Sequence, residues 1–574
     1  MSEHDHWPNG ASTDGLASAS RRECLRMIAL FGLASAVGPG TLAGLDATLH
    51  EARAAAQPGA PIGPIQFWIP NWPDMIEISR QLTEAWKKLG IAVQVRQGTL
   101  DTWTAEIIGQ HQMPHLAAMS WGGAPDRIDP DYFLTEFYNS SRMEKGGLNY
   151  GNFHDPKYDT VNVRQRQEMD ENKRQKLVFE AQAIAAAQNP SLILFTRNYI
   201  QAYNMERWDG IVPVMGTGIA MPYIPWTYLK MTPKTRRKLV KVTSIYDIHT
   251  LNPFATPEVY NSSLLRWIYP TFIIRDEQLR LTPWAAESWT VVDPTTIDVV
   301  IRDGMKFHDG RPVTVEDAKF TLDFIKQWKF PALARVNDTV ESTEIVPPRT
   351  LRFRLKQPNA PFLANVLGYT FIAPRHIWQD VAASGNLKTP ADWPNDQAVG
   401  SGPFRLGEWK RGEYLFLKSN ADWWAAPRIE GVYWLVVPSL ENQMGMMERG
   451  EADLLGWYID RKQGDMLARH KDLKVVSTPN HGLHEIRMNL AMPPLDNPSF
   501  RMALQQATDR KMLLDLVFGG AGVVANNSPI MPVNKFWSNP DVPNPPFDID
   551  QARKTLKDAG YGWNSDGALL HPGA

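Results

Sequence analysis

Cysteine is almost missing from this chain: Cys24, near the amino terminus, is the only one in 574 residues. Beyond that position there is no thiol to form a disulfide, act as a nucleophile or bind a metal. An excess of one charge is missing too. Sixty basic against 62 acidic residues leave a net charge of -2, so no global field favours nucleic acid or an anionic membrane. Internal repeats and low-complexity tracts are absent, and no uninterrupted run reaches the ~20 strongly apolar residues of a membrane span. What remains is ordinary globular composition, 43% hydrophobic and 21% charged. A chain of this length divides into two or three lobes. Tryptophan (21) and proline (44) are plentiful, giving ordered loops and flat apolar surfaces, most of them expected in the core.

The first 56 residues read as a targeting segment. Arg21 and Arg22 precede the apolar stretch Met27 to Ala34, a weaker apolar run continues to about Leu45, and Ala54-Ala55-Ala56 offers a small-residue cleavage site. This resembles a twin-arginine export signal with Gln57 as the mature start. Arg22 and Glu23 stand where a lipidated cysteine needs small apolar neighbours. The expectation is a soluble periplasmic product without a thiol.

Residues 61 to 230 alternate strand and helix signals. Pro64 to Pro70 is a short apolar strand, Asp74 to Leu89 has helical apolar spacing, and Ile91 to Arg96 alternates after Gly90, which together make a βαβ unit. Helices are expected over Asp101 to His111 and Asn172 to Gln188, then a strand over Ser191 to Arg197. Residues 231 to 238, Met-Thr-Pro-Lys-Thr-Arg-Arg-Lys, are basic and aperiodic and read as a solvated linker. Beyond it short strands dominate, such as Thr296 to Arg302 and Thr350 to Leu355. Val315 to Trp328 reads as a helix with Thr314 as its cap and Asp317 three residues on. Asn497 to Gly519 and Ile549 to Ala559 are helical again.

Several motifs carry a resemblance. Leu281-Thr-Pro-Trp284-Ala-Ala-Glu-Ser-Trp289, the run from Ile301 through Phe307-His308-Asp309-Gly310 to Phe320, Gly400-Ser-Gly-Pro-Phe404, and Asn489 through Asp496 and Phe500-Arg501 to Asp509-Arg510 resemble family 5 of the extracellular solute-binding proteins, the dipeptide and oligopeptide receptors of importers. Leu89-Gly90-Ile91, Met119-Ser-Trp121-Gly-Gly, Asp129-Pro130-Asp131 and Tyr158-Asp159 look like the part of that family that normally comes last. The halves stand in swapped order. A circular permutation accounts for this, with Ala574 lying near Gly59; the other account is a fusion of two truncated receptors. The resemblance implies an α/β, two-lobed periplasmic-binding-protein fold, type II-like in its large family 5 form. Residues 57–230 would be the family's C-terminal half, 231–238 the linker, 239–490 the N-terminal half with its extra subdomain, and 491–574 the start of the second lobe. Hinges are expected near Ser191 to Arg197 and His484 to Asn489.

The implied function is a monomeric periplasmic receptor of an ABC importer, without cofactor, closing on a peptide or related small polar solute and docking on membrane permease subunits. In peptide-binding members an aspartate just after the Trp-Gly segment pairs with the ligand's amino group. Ala124 falls at that place here. Asp126 replaces it two residues later, or Arg127 neutralises Asp126 and the anchor is absent. Ligand contacts are expected from Trp121, Asp126, Asp129, Asn252, Tyr260 and Asn489, with core or capping roles as the plain alternatives for each. Stacking tryptophans would equally suit an oligosaccharide, and opines and nickel chelates are other ligands of the family. An exported hydrolase is the rival of another class, but Gly400-Ser401-Gly402 lacks nucleophile-elbow spacing, His484-Glu485 lacks the second zinc-protease histidine, and His308-Asp309 reads as a structural turn.

Overall fold

The computed structural model describes residues 58–256 and 258–573; the export segment, Cys24, Gln57 and Ala574 lie outside them. Strand Ile65–Pro70 is almost wholly buried and leads into helix Pro73–Lys87, which starts on Pro73 and turns Met75, Ile78, Leu82 and Trp86 onto the sheet. Gly90 ends that helix at φ +80°, and its lack of a side chain is required, since a Cβ there would stand 2.3 Å from the Gly567 carbonyl oxygen. Strand Val93–Gly98 then pairs in parallel with Ile65–Pro70. The βαβ unit is as the sequence indicates.

That unit opens a six-stranded sheet in the order 93–98, 65–70, 116–121, 483–488, 191–197, 522–524. The first three strands run parallel; Leu483–Met488 enters antiparallel between Leu116–Trp121 and Ser191–Arg197. The lobe around this sheet is therefore built from both ends of the chain. Ile65, Phe67, Leu116 and Leu192 share one apolar core with Ile486, Phe500, Leu556 and Leu569. Its seam is a short backbone ladder in which Ile62 N–H donates to Leu569 at 2.9 Å, His571 N–H to Ala60 at 2.9 Å, and Gly59 N–H to His571 at 3.2 Å. We call this body the split lobe.

The large lobe draws its core from residues 203–454. It contains the antiparallel sheet 286–293, 296–301, 350–355, 340–346 and a second sheet in which Leu239–Ser244 runs parallel to Gly431–Val436. Helix Val315–Trp328 covers the first, and its reciprocal Thr314–Asp317 capping box satisfies two backbone donors at its start. Such a cap is worth about 1 kcal/mol. The chain passes between the lobes at Asn198, between strands Ser191–Arg197 and Tyr199–Asn204, and again at 479–482. The crossings thus sit at one end of each expected hinge stretch, because the stretches themselves are laddered into the split-lobe sheet.

Other expectations shift for local reasons. The 231–238 segment is pinned: Thr232–Pro233 pairs with Trp208–Asp209, and Arg237 joins Arg207 on the fully buried Asp453 at 3.4 and 3.3 Å. Residues 497–519 form two helices, Pro498–Gln506 and Arg510–Phe518, because Asp509 caps the second through the Met512 N–H. The 101–111 helix is a single α turn, Leu100–Trp103, followed by a π-helical stretch, Thr104–Gly109.

Candidate functional site

Strand Leu116–Trp121 delivers Trp121-Gly-Gly-Ala to the seam between the lobes, where a 3-10 turn, Pro125–Arg127, presents Asp126. The turn is held by close backbone approach. A Cβ on Gly123 would fall 2.3 Å from Asn480 Oδ1 and one on Gly216 would fall 2.1 Å from His481, so the crossing at 479–482 seats directly on this loop. Arg127 donates to the Gly122 carbonyl at 2.6 Å and lies over the rings of Trp121 and Tyr132.

Asp126 is 7% exposed. Its Oδ2 accepts from Arg335 of the large lobe at 3.0 Å, while Oδ1 is buried with no partner among the described residues. Burial alone would raise this carboxyl, but Arg335, Arg127 and Arg266 more than offset it and hold it below the usual carboxylate range. The lobes also meet through Ile128 against Val214, Ile224 and Leu279, and through the Ala360 N–H on the Arg166 carbonyl. Beside Asp126 opens a small pocket walled by Pro125, Tyr223, Arg266, Arg275, Trp284 and Tyr369 among others. Burial lowers the guanidinium pKa of both Arg266 and Arg275. His481, 2% exposed beneath the loop, is pushed down to about 4 by burial, the Ala124 carbonyl being its one hydrogen-bond partner.

The six expected ligand residues separate here. Trp121 and Asp126 stand at the interlobe loop, although the Trp121 indole N–H is already donated to Glu485 Oε1 at 2.9 Å. Asp129 takes Arg174 bidentately at 2.6 and 2.8 Å and caps Asp131. Asn252 donates to the carbonyls of Pro390, Ala391 and Trp393, and Tyr260 pairs its hydroxyl with Ser244 at 2.9 Å among aromatic neighbours. Asn489 bonds Met113 and Asn152. These last four have their polar atoms committed to the protein, and none of the six is among the pocket's lining residues. Sequence reasoning passed over Arg266, Arg275, Arg335 and Tyr369. The available signal was arginine set in apolar runs, Leu264-Leu-Arg266-Trp-Ile and Phe272-Ile-Ile-Arg275.

The family model of bacterial extracellular solute-binding proteins, family 5 (middle) matches residues 280–572, about half of the chain. The chain belongs to this family. The glutathione-binding protein GsiB of Escherichia coli K12 is 28% identical over 319 residues, 54% of this chain and 59% of that one. GsiB of Salmonella typhi is 28% identical over 334 residues, 57% of this chain and 63% of its own. The matches thus span less than two thirds of these relatives. Among solved structures, the periplasmic oligopeptide-binding protein of an oligopeptide ABC transporter from Thermotoga maritima superposes with a TM-score of 0.50 at 22% identity, covering 58% of this chain and 64% of that one. The fold is the mixed α/β, two-lobed fold of these family 5 receptors.

Proposed function

We propose that this chain is the periplasmic ligand-capturing receptor of an ABC importer and takes a peptide between its lobes. The observation that carries the reading is Asp126: a buried carboxylate from the split lobe, with one free oxygen and the other neutralised by a guanidinium from the large lobe. A ligand ammonium would take the place of Arg335, and a charge-assisted bond in so dry a setting is strong. The names of the relatives, glutathione-binding and oligopeptide-binding, agree with a peptide ligand. Asp126→Asn is expected to weaken peptides with a free amino terminus by about 10- to 100-fold and to leave their N-acetylated forms unchanged in isothermal titration. Equal losses for both forms would sink Asp126 as the amino anchor.

The same reading takes the protein as an exported monomer released near Gln57, hinged at the two crossings. It takes the chain order as a circular permutation of the family's, with 231–238 joining the family's original ends. The ladder between 59–62 and 569–571 supports this order, since neighbouring ends are where permutation is tolerated. A re-ordered chain that runs 235–573, continues at 59 and stops at 234, and so keeps the strand pair at 232–233 and Arg237 on Asp453, should keep the melting temperature within a few degrees and the ligand. Failure of that chain to fold, with the natural order folding, would overturn the permutation.

A further inference from the structure

Arg127, Arg266 and Arg275 have no carboxylate within ion-pairing distance among the described residues, although all three stand in or beside the interlobe pocket. Their existing bonds are to neutral groups: Arg127 to the Gly122 carbonyl at 2.6 Å, Arg275 to the Leu279 carbonyl at 2.6 Å, and Arg266 to the Ser262 hydroxyl at 3.4 Å. Arg127 Nε has no partner among the described residues. Tyr369 lies under Arg266 at 4.0 Å and under Arg335 at 5.6 Å, which supplies a π face but no counter-charge. The nearby acids are already engaged, Asp129 by Arg174 and Glu136 by Arg142 at 3.2 Å. Asp126 is the nearby acid for Arg127, Arg266 and Arg335, while Arg275 feels only Asp129 and Asp276, which Arg174 and Arg280 already hold.

Arg127, Arg266 and Arg275 are half-buried, and arginine cannot relieve the cost of that partial desolvation by shedding its proton. Uncompensated guanidinium groups are costly, and proteins that keep them pair them with something. Water reaches these half-buried groups in the free protein, and a ligand that displaces it must bring the counter-charge. We infer that the pocket takes a peptide bearing more than one carboxylate, with Arg266 and Arg275 receiving the carboxylates and Asp126 the amino group. This rests on the peptide reading above. The planar forks of both arginines match a carboxylate bidentately, which gives geometric selection as well as charge.

The test is isothermal titration of the full chain with Glu-Gly-Glu, Gln-Gly-Gln, Lys-Gly-Lys, glutarate and inorganic phosphate at low salt and at 1 M NaCl. Glu-Gly-Glu should bind at least about 30-fold more tightly than Gln-Gly-Gln, and Lys-Gly-Lys should not bind. Arg266→Gln and Arg275→Gln should each remove about tenfold of that preference, while Arg275→Lys, which keeps the charge and the packing, should retain part of it. Equal affinity for Glu-Gly-Glu and Gln-Gly-Gln overturns the anionic specificity and leaves the peptide receptor standing. Binding of glutarate or phosphate with no peptide bound overturns the peptide ligand and keeps the anion site. No binding by any of the five overturns both.

Discussion

Fully buried Arg487 and the half-buried pocket arginines Arg266 and Arg275 differ in the company they keep. In the split-lobe sheet, Arg487 is gripped bidentately by Glu485 two residues away on the same strand face, and its second nitrogen reaches the carbonyls of Phe137 and Leu148. Glu485 in turn takes the Trp121 indole and the Tyr150 hydroxyl. Every polar atom of that cluster is used, which is how a charge survives at 0–1% exposure. In the pocket, Arg266 and Arg275 have an aromatic face, a hydroxyl or a carbonyl and nothing negative. The first arrangement holds the sheet together. The second, on the proposal above, takes its counter-charge from a ligand.

The contrast can be broken most forcefully from its paired side. Arg487→Met leaves Glu485 buried without its counter-charge and should cost about 3–5 kcal/mol in urea unfolding; a cost under 1 kcal/mol would show that the cluster carries little. Next comes His481, which faces Arg127, Arg275 and Asp126 across the loop. Its folded value of about 4 lies below the ordinary 6.5, so the unfolded chain binds the proton first. Stability is therefore full above about pH 6.5 and falls as pH drops toward 4, by on the order of 3 kcal/mol at most. His481→Gln should flatten that slope in melts taken across the window. The smallest effect belongs to the unpaired side. Without ligand, Arg275→Gln should leave stability unchanged or raise it by up to about 1 kcal/mol, and a loss of several would mean that Arg275 is a structural residue after all.

Much of the fold was legible because its signals are local. The Thr314–Asp317 capping box fixes the start of helix 315–328, and apolar runs between turn residues bound strands 191–197 and 350–355. The family motifs carry the expectation of a swapped order, although they do not show that residues 59–62 and 569–571 share a ladder. The site was less legible. Asn252 and Tyr260 look like ligand contacts from type and loop position, yet their atoms are taken by carbonyls 138 to 141 residues on and by Ser244, 16 residues back, partners that no spacing rule announces. Asp126 could be named but its partner could not: Arg335 lies 209 residues away. Arg266 and Arg275 are conspicuous only once their surroundings are known to hold no carboxylate within ion-pairing distance among the described residues.

The position of strand Leu483–Met488 sets a timetable for synthesis. Trp121 and its partner Glu485 are separated by 364 residues, and the strands before and after the large lobe cannot form one sheet until the later one exists. At roughly 5–20 residues per second, strands 65–121 wait roughly 20–70 s for the strand that covers their edge. Throughout that interval Leu116–Trp121 offers an open, apolar edge to any other chain, the kind of edge that invites aggregation. The large lobe, whose strands are contiguous in sequence, can be finished in the meantime. The nascent chain thus holds a completed body with an unfinished one tethered before it, and holdase binding to the 65–121 region should be strongest in that window.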